Sequence, residues 1–222
     1  MVEASVTMPQ ASEQLSQPRQ GSDTIALFPL QSVLFPKGRL PLQIFEQRYL
    51  NLVTQCLRED RGFGVCLLRE GEEVVKPGAR QQVHRVGMLA RIVDWDQLPN
   101  GLLGITVEGQ HKFTVRDCRY DERHLLMADI DYCETDYVGE TALNVEPEQE
   151  VLVDLLEQLV SHPVISKLGM AIAYHDLREL GWRLSELIPL SLERKQALLE
   201  LQDPYLRVQE IQALLHSMMD EA

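Results

Sequence analysis

Two Phe-Pro steps, Phe28-Pro29 and Phe35-Pro36, lie close together in an apolar run that begins at Ile25. Proline fixes its own φ and holds the residue before it in an extended conformation, so neither step suits a helix interior. Gly38, two residues after the second step, suits a tight turn. A second extended run, Leu40-Pro41-Leu42, follows it. The segment therefore predicts a strand, a bend and a second strand.

The rest of the first half is a series of short apolar runs separated by turn-forming residues. Asn100-Gly101 is a strong hairpin signal between two of these runs. Many short strands at this spacing indicate a small barrel or sandwich. The predicted strands are Phe63–Leu68, Val86–Val93, Leu102–Gly109, Lys112–Arg116 and Leu125–Ile130.

One helix interrupts these strands. Its apolar positions recur at steps of three and four residues, and Arg61-Gly62 is a plausible stop. The predicted apolar face comprises Phe45, Tyr49, Leu52, Val53, Cys56 and Leu57.

After about residue 146 the apolar pattern becomes helical throughout. One helix is predicted from about Ile165 to Leu180, with Gly181 as its stop, and another begins at Asp203-Pro204. The predicted organisation is α+β, with a β-barrel subdomain at 23–138 and a helical bundle at 148–222. Residues 139–147 form an acidic linker between them. Residues 1–22 lack an apolar signal segment and are predicted to be a disordered tail.

The charge distribution argues against nucleic acid as a partner of the whole chain. The chain has 34 acidic and 21 basic residues, a net charge of -13. Residues 124–166 contain ten Asp or Glu residues and no Lys or Arg. Such a field repels phosphate backbones. No apolar run is long enough to cross a bilayer, so we expect a cytoplasmic protein.

The sequence offers no pattern for catalysis, a metal or a cofactor. The histidines never fall at H-x-x-x-H spacing, and the four cysteines form no C-x-x-C pair. Ser166 and Lys167 are adjacent, so on a helix they would point in different directions and form no dyad. The acidic residues between 129 and 157 lack a calcium-loop pattern, which favours a solvated acidic face.

Two small groups of residues are candidates for binding another molecule. Trp95, Leu98 and Leu102 flank the predicted hairpin turn, where apolar side chains either mark an interaction surface or fold back over the barrel mouth. Glu46 and Arg48 lie at the start of the first helix. They either tie that helix to the barrel or form a polar anchor beside a peptide groove.

The order of these motifs resembles the N-terminal domain of the Lon protease family. The opening residues Phe28-Pro29-Leu30, Val33–Pro36, Leu40–Leu42 and Ile44–Tyr49 are similar to its first strands and helix start. The similarity continues through Val83–Ile92, Pro99–Gly101, Ile105–Gly109, Lys112–Val115, Lys195–Asp203 and Arg207. Lys112 stands where that family more often has arginine.

The resemblance implies a PUA-like (pseudouridine-synthase-and-archaeosine-transglycosylase-like) β-barrel with one inserted helix, followed by a helical bundle. It also implies a non-enzymatic module that binds protein or peptide. No G-x-x-x-x-G-K-[ST] motif occurs, so we expect no P-loop for ATP. By the same resemblance, the chain stops before the region of the family's ATPase and peptidase domains, so we expect neither. The expected partner is an unfolded or extended polypeptide, or a protease or chaperone. The alternatives are an RNA-binding PUA-like module and a small-molecule binder at the barrel mouth.

Overall fold

The computed structural model describes residues 22–74, 80–133 and 142–220. The predicted tail, apart from its last residue, and the stretch 134–141 around the predicted linker lie outside these ranges. In chain order the strands are β1 (Ser22–Leu30), β2 (Arg39–Ile44), β3 (Phe63–Glu70), β4 (Gln82–Val83), β5 (Val86–Gln97), β6 (Leu103–Tyr120) and β7 (Leu126–Tyr132). The helices are α1 (Gln47–Glu59), α2 (Glu150–Ser161), α3 (Pro163–Ser166), α4 (Leu177–Leu187), α5 (Leu192–Glu200) and α6 (Pro204–Asp220).

The strands form a mixed seven-stranded sheet in the order β1-β7-β6-β5-β3-β4, with β2 paired to β6. β1 is antiparallel to β7 on one side and parallel to β3 on the other. Because β3 also pairs with β1, the pairings among β1, β7, β6, β5 and β3 form a closed cycle. The prediction of a strand-rich half followed by a helical half is confirmed at this level.

The opening of the chain forms the predicted strand, bend and strand. The first Phe-Pro step lies within β1, where Pro29 is opposite Cys66 of β3. Proline fits this position because its φ suits an extended chain and it lacks only the donor N–H. The second step lies in the bend, where the Lys37 N–H donates to the Gly109 carbonyl at 2.7 Å.

The hairpin predicted at Asn100-Gly101 joins β5 to β6. The two strands predicted after this turn are one 18-residue strand, β6, which pairs with β2, β5 and β7 along its length. Gly101 has a φ of 82°, which explains the need for glycine in the turn.

Helix α1 is the helix predicted between the strands, but two residues assigned to its buried face are exposed. Phe45 precedes the helix, whose N-cap is Glu46, and its exposed fraction is 56%. Leu57 follows the buried Cys56, and one residue turns about 100° around a helix, so it points to solvent. The helix ends at Asp60, which has a left-handed φ of 52°.

The helix predicted from Ile165 to Leu180 is wrong. Its first turn is α3, and Gly169 follows with a φ of 59°, which interrupts helical geometry. α4 begins only after Asp176, whose carboxylate accepts the N–H of Arg178 at 2.9 Å. Gly181, predicted as a stop, lies inside α4, where a Cβ would lie 3.3 Å from Cδ of Arg207 on α6. The glycine therefore allows two helices to approach closely.

A continuous hydrophobic core joins the sheet to the helices, with residues such as Phe35, Ile105, Leu156, Leu180 and Trp182 in one cluster. A smaller cluster inside the sheet includes Leu27, Phe113 and Ile130. The boundaries predicted for two subdomains stay a prediction, because this core passes through both.

Polar side chains also join the two halves. Arg183 of α4 donates to the Pro36 carbonyl, and Lys37 pairs with Glu179 of α4. Asn144, within the predicted linker, forms an isolated bridge with Asp176. The bend between β1 and β2 is therefore held by residues more than a hundred positions later.

Candidate functional site

The end of the β5–β6 hairpin carries an exposed tryptophan. Trp95 is 60% exposed and is paired through its backbone with Ile105. Leu98 and Leu102 close the turn, where the Leu98 N–H donates to the Leu102 carbonyl at 2.9 Å, and both side chains are half-buried. The structure thus brings the three predicted apolar residues to one end of the sheet.

These three residues do not form one patch. Trp95 shares a face with Ile105, because directly opposite residues point to the same side of a sheet. Leu98 covers the other face: its Cδ2 atom lies 2.9 Å from the position a Cβ on Gly104 would take. Gly104 precedes Ile105, and successive residues of a strand point to opposite faces.

Phe45 is the residue that sequence analysis missed at this end of the sheet. It follows Ile44, the last residue of β2, which pairs with Leu103 at the start of β6. Phe45 therefore follows directly on the pairing at the start of β6, and its side chain is more than half exposed. Phe45 precedes Glu46, the N-cap of α1, so it does not belong to the periodic apolar face of the helix.

Glu46 and Arg48 form a polar tie at the start of α1. The Nε atom of Arg48 donates to Oε2 of Glu46 at 3.1 Å, and Nη1 donates to the His124 carbonyl at 2.9 Å. The guanidinium also lies 4.5 Å from the centre of the Tyr49 ring. These contacts join α1 to the turn before β7. A role for the pair in binding peptide stays a prediction.

Arg48 also lines an open cleft between α1 and the β1 side of the sheet. Its volume is ≈ 150 Å³, and its walls include Thr24–Ala26 of β1, Asn51 and Gln55 of α1, and Arg123 of the turn before β7. Sites that enclose a small-molecule ligand have volumes of about 300–1,000 Å³. The cleft is therefore large enough for one side chain or the end of a polypeptide chain, but small for a typical small-molecule ligand.

The ionisable groups of the cleft do not resemble a nucleophilic centre. Burial raises the pKa of Cys56 to about 11, so its side chain is a neutral thiol near neutral pH. Hydrogen bonds from Arg58 and then Gln55 lower the pKa of Glu59, which keeps its carboxylate ionised. The cleft thus presents charged and amide groups that can hydrogen-bond to a ligand.

Across 22–74, 80–133 and 142–220, no three His, Cys, Asp or Glu side chains come together in a way that could hold a metal ion. Ser166 lies in the one-turn helix α3 and donates to the Pro163 carbonyl at 3.2 Å. None of the helices in these ranges is long and apolar enough to span a membrane.

Residues 24–217 match the family model described as the ATP-dependent protease La (LON) substrate-binding domain. The chain belongs to this family. The match covers all of the sheet except its first two residues, and nearly all of the helices. The cleft and the hairpin end therefore both lie within a Lon substrate-binding domain.

Similar proteins agree with this assignment. A Lon N-terminal domain protein from Xanthomonas campestris has a TM-score of 0.67 and 30% identity, and the alignment covers 86% of this chain and 98% of that one. The N-terminal domain of a Mycobacterium avium complex Lon protease has a TM-score of 0.56 at 12% identity, covering 85% and 96% of the two chains. This second likeness concerns the fold alone.

Curated Lon proteases match over a fraction of their own length. The Lon protease of Geobacter metallireducens is 27% identical over 220 residues, which are 95% of this chain and 26% of that protein. The Lon protease of Syntrophus aciditrophicus is 23% identical over 193 residues, 85% of this chain and 24% of that protein. The chain thus spans about a quarter of these relatives.

Proposed function

We propose that this chain is a non-enzymatic module that binds unfolded or extended polypeptide at the end of the β5–β6 hairpin. The proposal rests above all on the exposure of Trp95 within a domain of the Lon substrate-binding family. Exposed aromatic residues often supply most of the binding energy of an interface. Phe45 lies at the same end of the sheet and adds a second aromatic surface.

The affinity should be weak to moderate, because ordering an unfolded chain opposes binding. The cycle of strand pairings from β1 through β7, β6, β5 and β3 supports the finer assignment of a PUA-like barrel. A cytoplasmic location and work beside a protease or chaperone belong to the same proposal.

The experiment is a fluorescence-anisotropy titration with a labelled protein kept unfolded by reduction and carboxamidomethylation. Trp95→Ser and Phe45→Ser should each weaken binding, by up to about tenfold, which corresponds to about 1.4 kcal/mol. Val164→Ser is the matched control, because Val164 is a 68% exposed apolar residue on α3. It should leave the affinity unchanged.

The proposed location is wrong if Trp95→Ser and Phe45→Ser bind as tightly as the parent protein while keeping its thermal stability. A parallel titration with a labelled single-stranded RNA tests the RNA-binding alternative. Binding that weakens steeply with salt would favour RNA. We expect no such binding because the net charge is -13.

A further inference from the structure

The first part of β1 has one edge that faces the cleft. β7 pairs with Ser22–Ala26 on one side, whereas β3 joins the other side only from Leu27, which is opposite Gly64. In the described part of the chain, no strand pairs with that second side of Thr24. Thr24 and the residues after it line the cleft.

The backbone of Thr24 points towards this edge. Its N–H donates to Oδ1 of Asp23 at 2.8 Å, so it takes no part in the ladder with β7. Its hydroxyl donates to Asp129, its partner across the ladder, at 2.6 Å. In an antiparallel pair, a residue outside the ladder bonds directs its N–H and C=O away from the partner strand. The Thr24 carbonyl can therefore accept a hydrogen bond from a short added strand, while the Thr24 N–H stays with Asp23.

The far end of this edge is blocked. Beyond Ala26 the edge of β1 is occupied by β3, which begins at Phe63. A polypeptide laid along Thr24–Ala26 must end or turn away from the sheet at that point. The edge therefore favours a chain terminus over a segment that continues in both directions.

The charge at the blocked end identifies which terminus fits. Arg61 and Gly62 immediately precede β3, and both line the cleft. The Arg61 side chain is 59% exposed, and its Nη1 atom lies 3.9 Å from Oε2 of Glu59, beyond hydrogen-bond distance. Guanidinium groups bind carboxylates in a two-pronged geometry.

The carboxylates of the cleft are already engaged by other donors. Glu59 accepts hydrogen bonds from Gln55 and Arg58. Asp121 accepts the backbone N–H groups of Arg123 and Leu125 at 2.9 and 2.8 Å. Arg61 forms an ion pair with Glu59 but donates no hydrogen bond to it, so its guanidinium can still donate to an anion from outside.

We propose that this cleft binds the C-terminal end of an extended polypeptide, which adds parallel to β1 with its carboxylate at Arg61. Leu52, Leu125 and Met127 in the walls suit an apolar last side chain, and ≈ 150 Å³ is enough for little more. The inference rests on the proposed function in taking polypeptide as the ligand. It concerns a different place from the hairpin end, with no residue in common.

The test uses the full chain and an N-terminally labelled peptide, Gly-Ser-Gly-Ser-Ala-Val-Ala-Leu, made as the free acid and as the C-terminal amide. We expect the acid to bind about tenfold more tightly than the amide, the gain typical of one charged hydrogen-bonded contact. In Arg61→Gln this preference should disappear. Arg116→Gln removes the same charge from an exposed arginine on β6, paired with Asp131, and should keep the preference.

Three results would overturn the inference: equal affinity for acid and amide, an acid preference that survives in Arg61→Gln, or loss of the preference in Arg116→Gln as well. The inference would also be overturned if the free acid bound with a Kd weaker than about 1 mM, which corresponds to a binding free energy of about -4.1 kcal/mol. None of these results affects the test of the proposed function, which uses an unfolded protein and the hairpin variants. Trp95→Ser should keep the acid preference, because the hairpin end lies outside the cleft.

Discussion

Replacing Lys112 by methionine tests how the sheet holds the helical half. Lys112 lies in β6 and its side chain is buried, with an exposed fraction of 1%. Its Nζ atom donates to the Leu199 and Leu201 carbonyls at 3.0 and 3.1 Å, at the C-terminal end of α5. The last carbonyls of a helix need donors from outside it, and a positive charge there is favourable.

Lys112→Met should lower the free energy of unfolding because it removes these contacts. Arg207 of α6 also donates to the Leu201 carbonyl, so that group keeps a donor in the variant. The Leu199 carbonyl loses a charged hydrogen bond, which contributes about 1.5–3 kcal/mol net. Loss of a charge near a helix terminus adds about 1 kcal/mol. Methionine fills similar space, so we expect the free energy of unfolding to fall by about 2.5–4 kcal/mol in total.

The measurement is urea unfolding followed by circular dichroism, with a thermal melt as a second readout. The melting temperature should fall by about 5–15 °C, given about 2–4 °C per kcal/mol for a chain of this size. Lys167→Met is the control, because Lys167 is exposed and its change should stay within about 0.5 kcal/mol. A Lys112→Met protein as stable as the parent would refute the reasoning. It would mean that the cost of burying the ammonium group cancels the benefit of its hydrogen bonds.

Three further predictions concern Gly109 and Asp129 in the sheet and Arg48 at the start of α1. Gly109→Ala should lower the free energy of unfolding by about 1–3 kcal/mol in urea titrations, because the new Cβ would collide with the Phe35 carbonyl. Arg48→Met should cost about 1–3 kcal/mol in the same assay, since it removes the donors to Glu46 and the His124 carbonyl; an unchanged midpoint would contradict the tie. Hydrogen bonds from Arg119 and Thr24 lower the pKa of Asp129, so the stability it adds over Asp129→Asn should be present above the ordinary carboxyl pKa of about 3.9 and vanish as pH falls through the lowered value. Urea titrations of both proteins from neutral to acid pH check the sign.

Local rules account for the parts of the fold that could be predicted. Proline fixes φ and glycine allows φ values that other residues avoid, so Pro36, Gly38 and Gly101 placed the bend and the hairpin. The start of α6 at Asp203-Pro204 follows from the same kind of local preference, and the structure confirms it. Such signals need no knowledge of the rest of the chain.

The errors arose where distant residues decide the conformation. Gly181 looks like a helix stop in sequence, but α6 packs against it inside α4. The cleft was not predicted because Arg48, Thr24 and Arg123 come from separate parts of the chain and meet only in the folded sheet. Periodicity describes one element at a time, so it cannot indicate a space between elements.

The double pairing of β1 has a consequence for how the protein is made. Thr24 meets Asp129, a residue 105 positions later, across the ladder with β7. At about 5–20 residues per second, a ribosome needs about 5–20 s to synthesise the intervening chain. During that time the apolar strand Ile25–Leu30 has left or is leaving the ribosome without its β7 partner. Such unpaired edges readily pair with other chains, so the first strand of this protein is open to wrong pairing until β7 has been made.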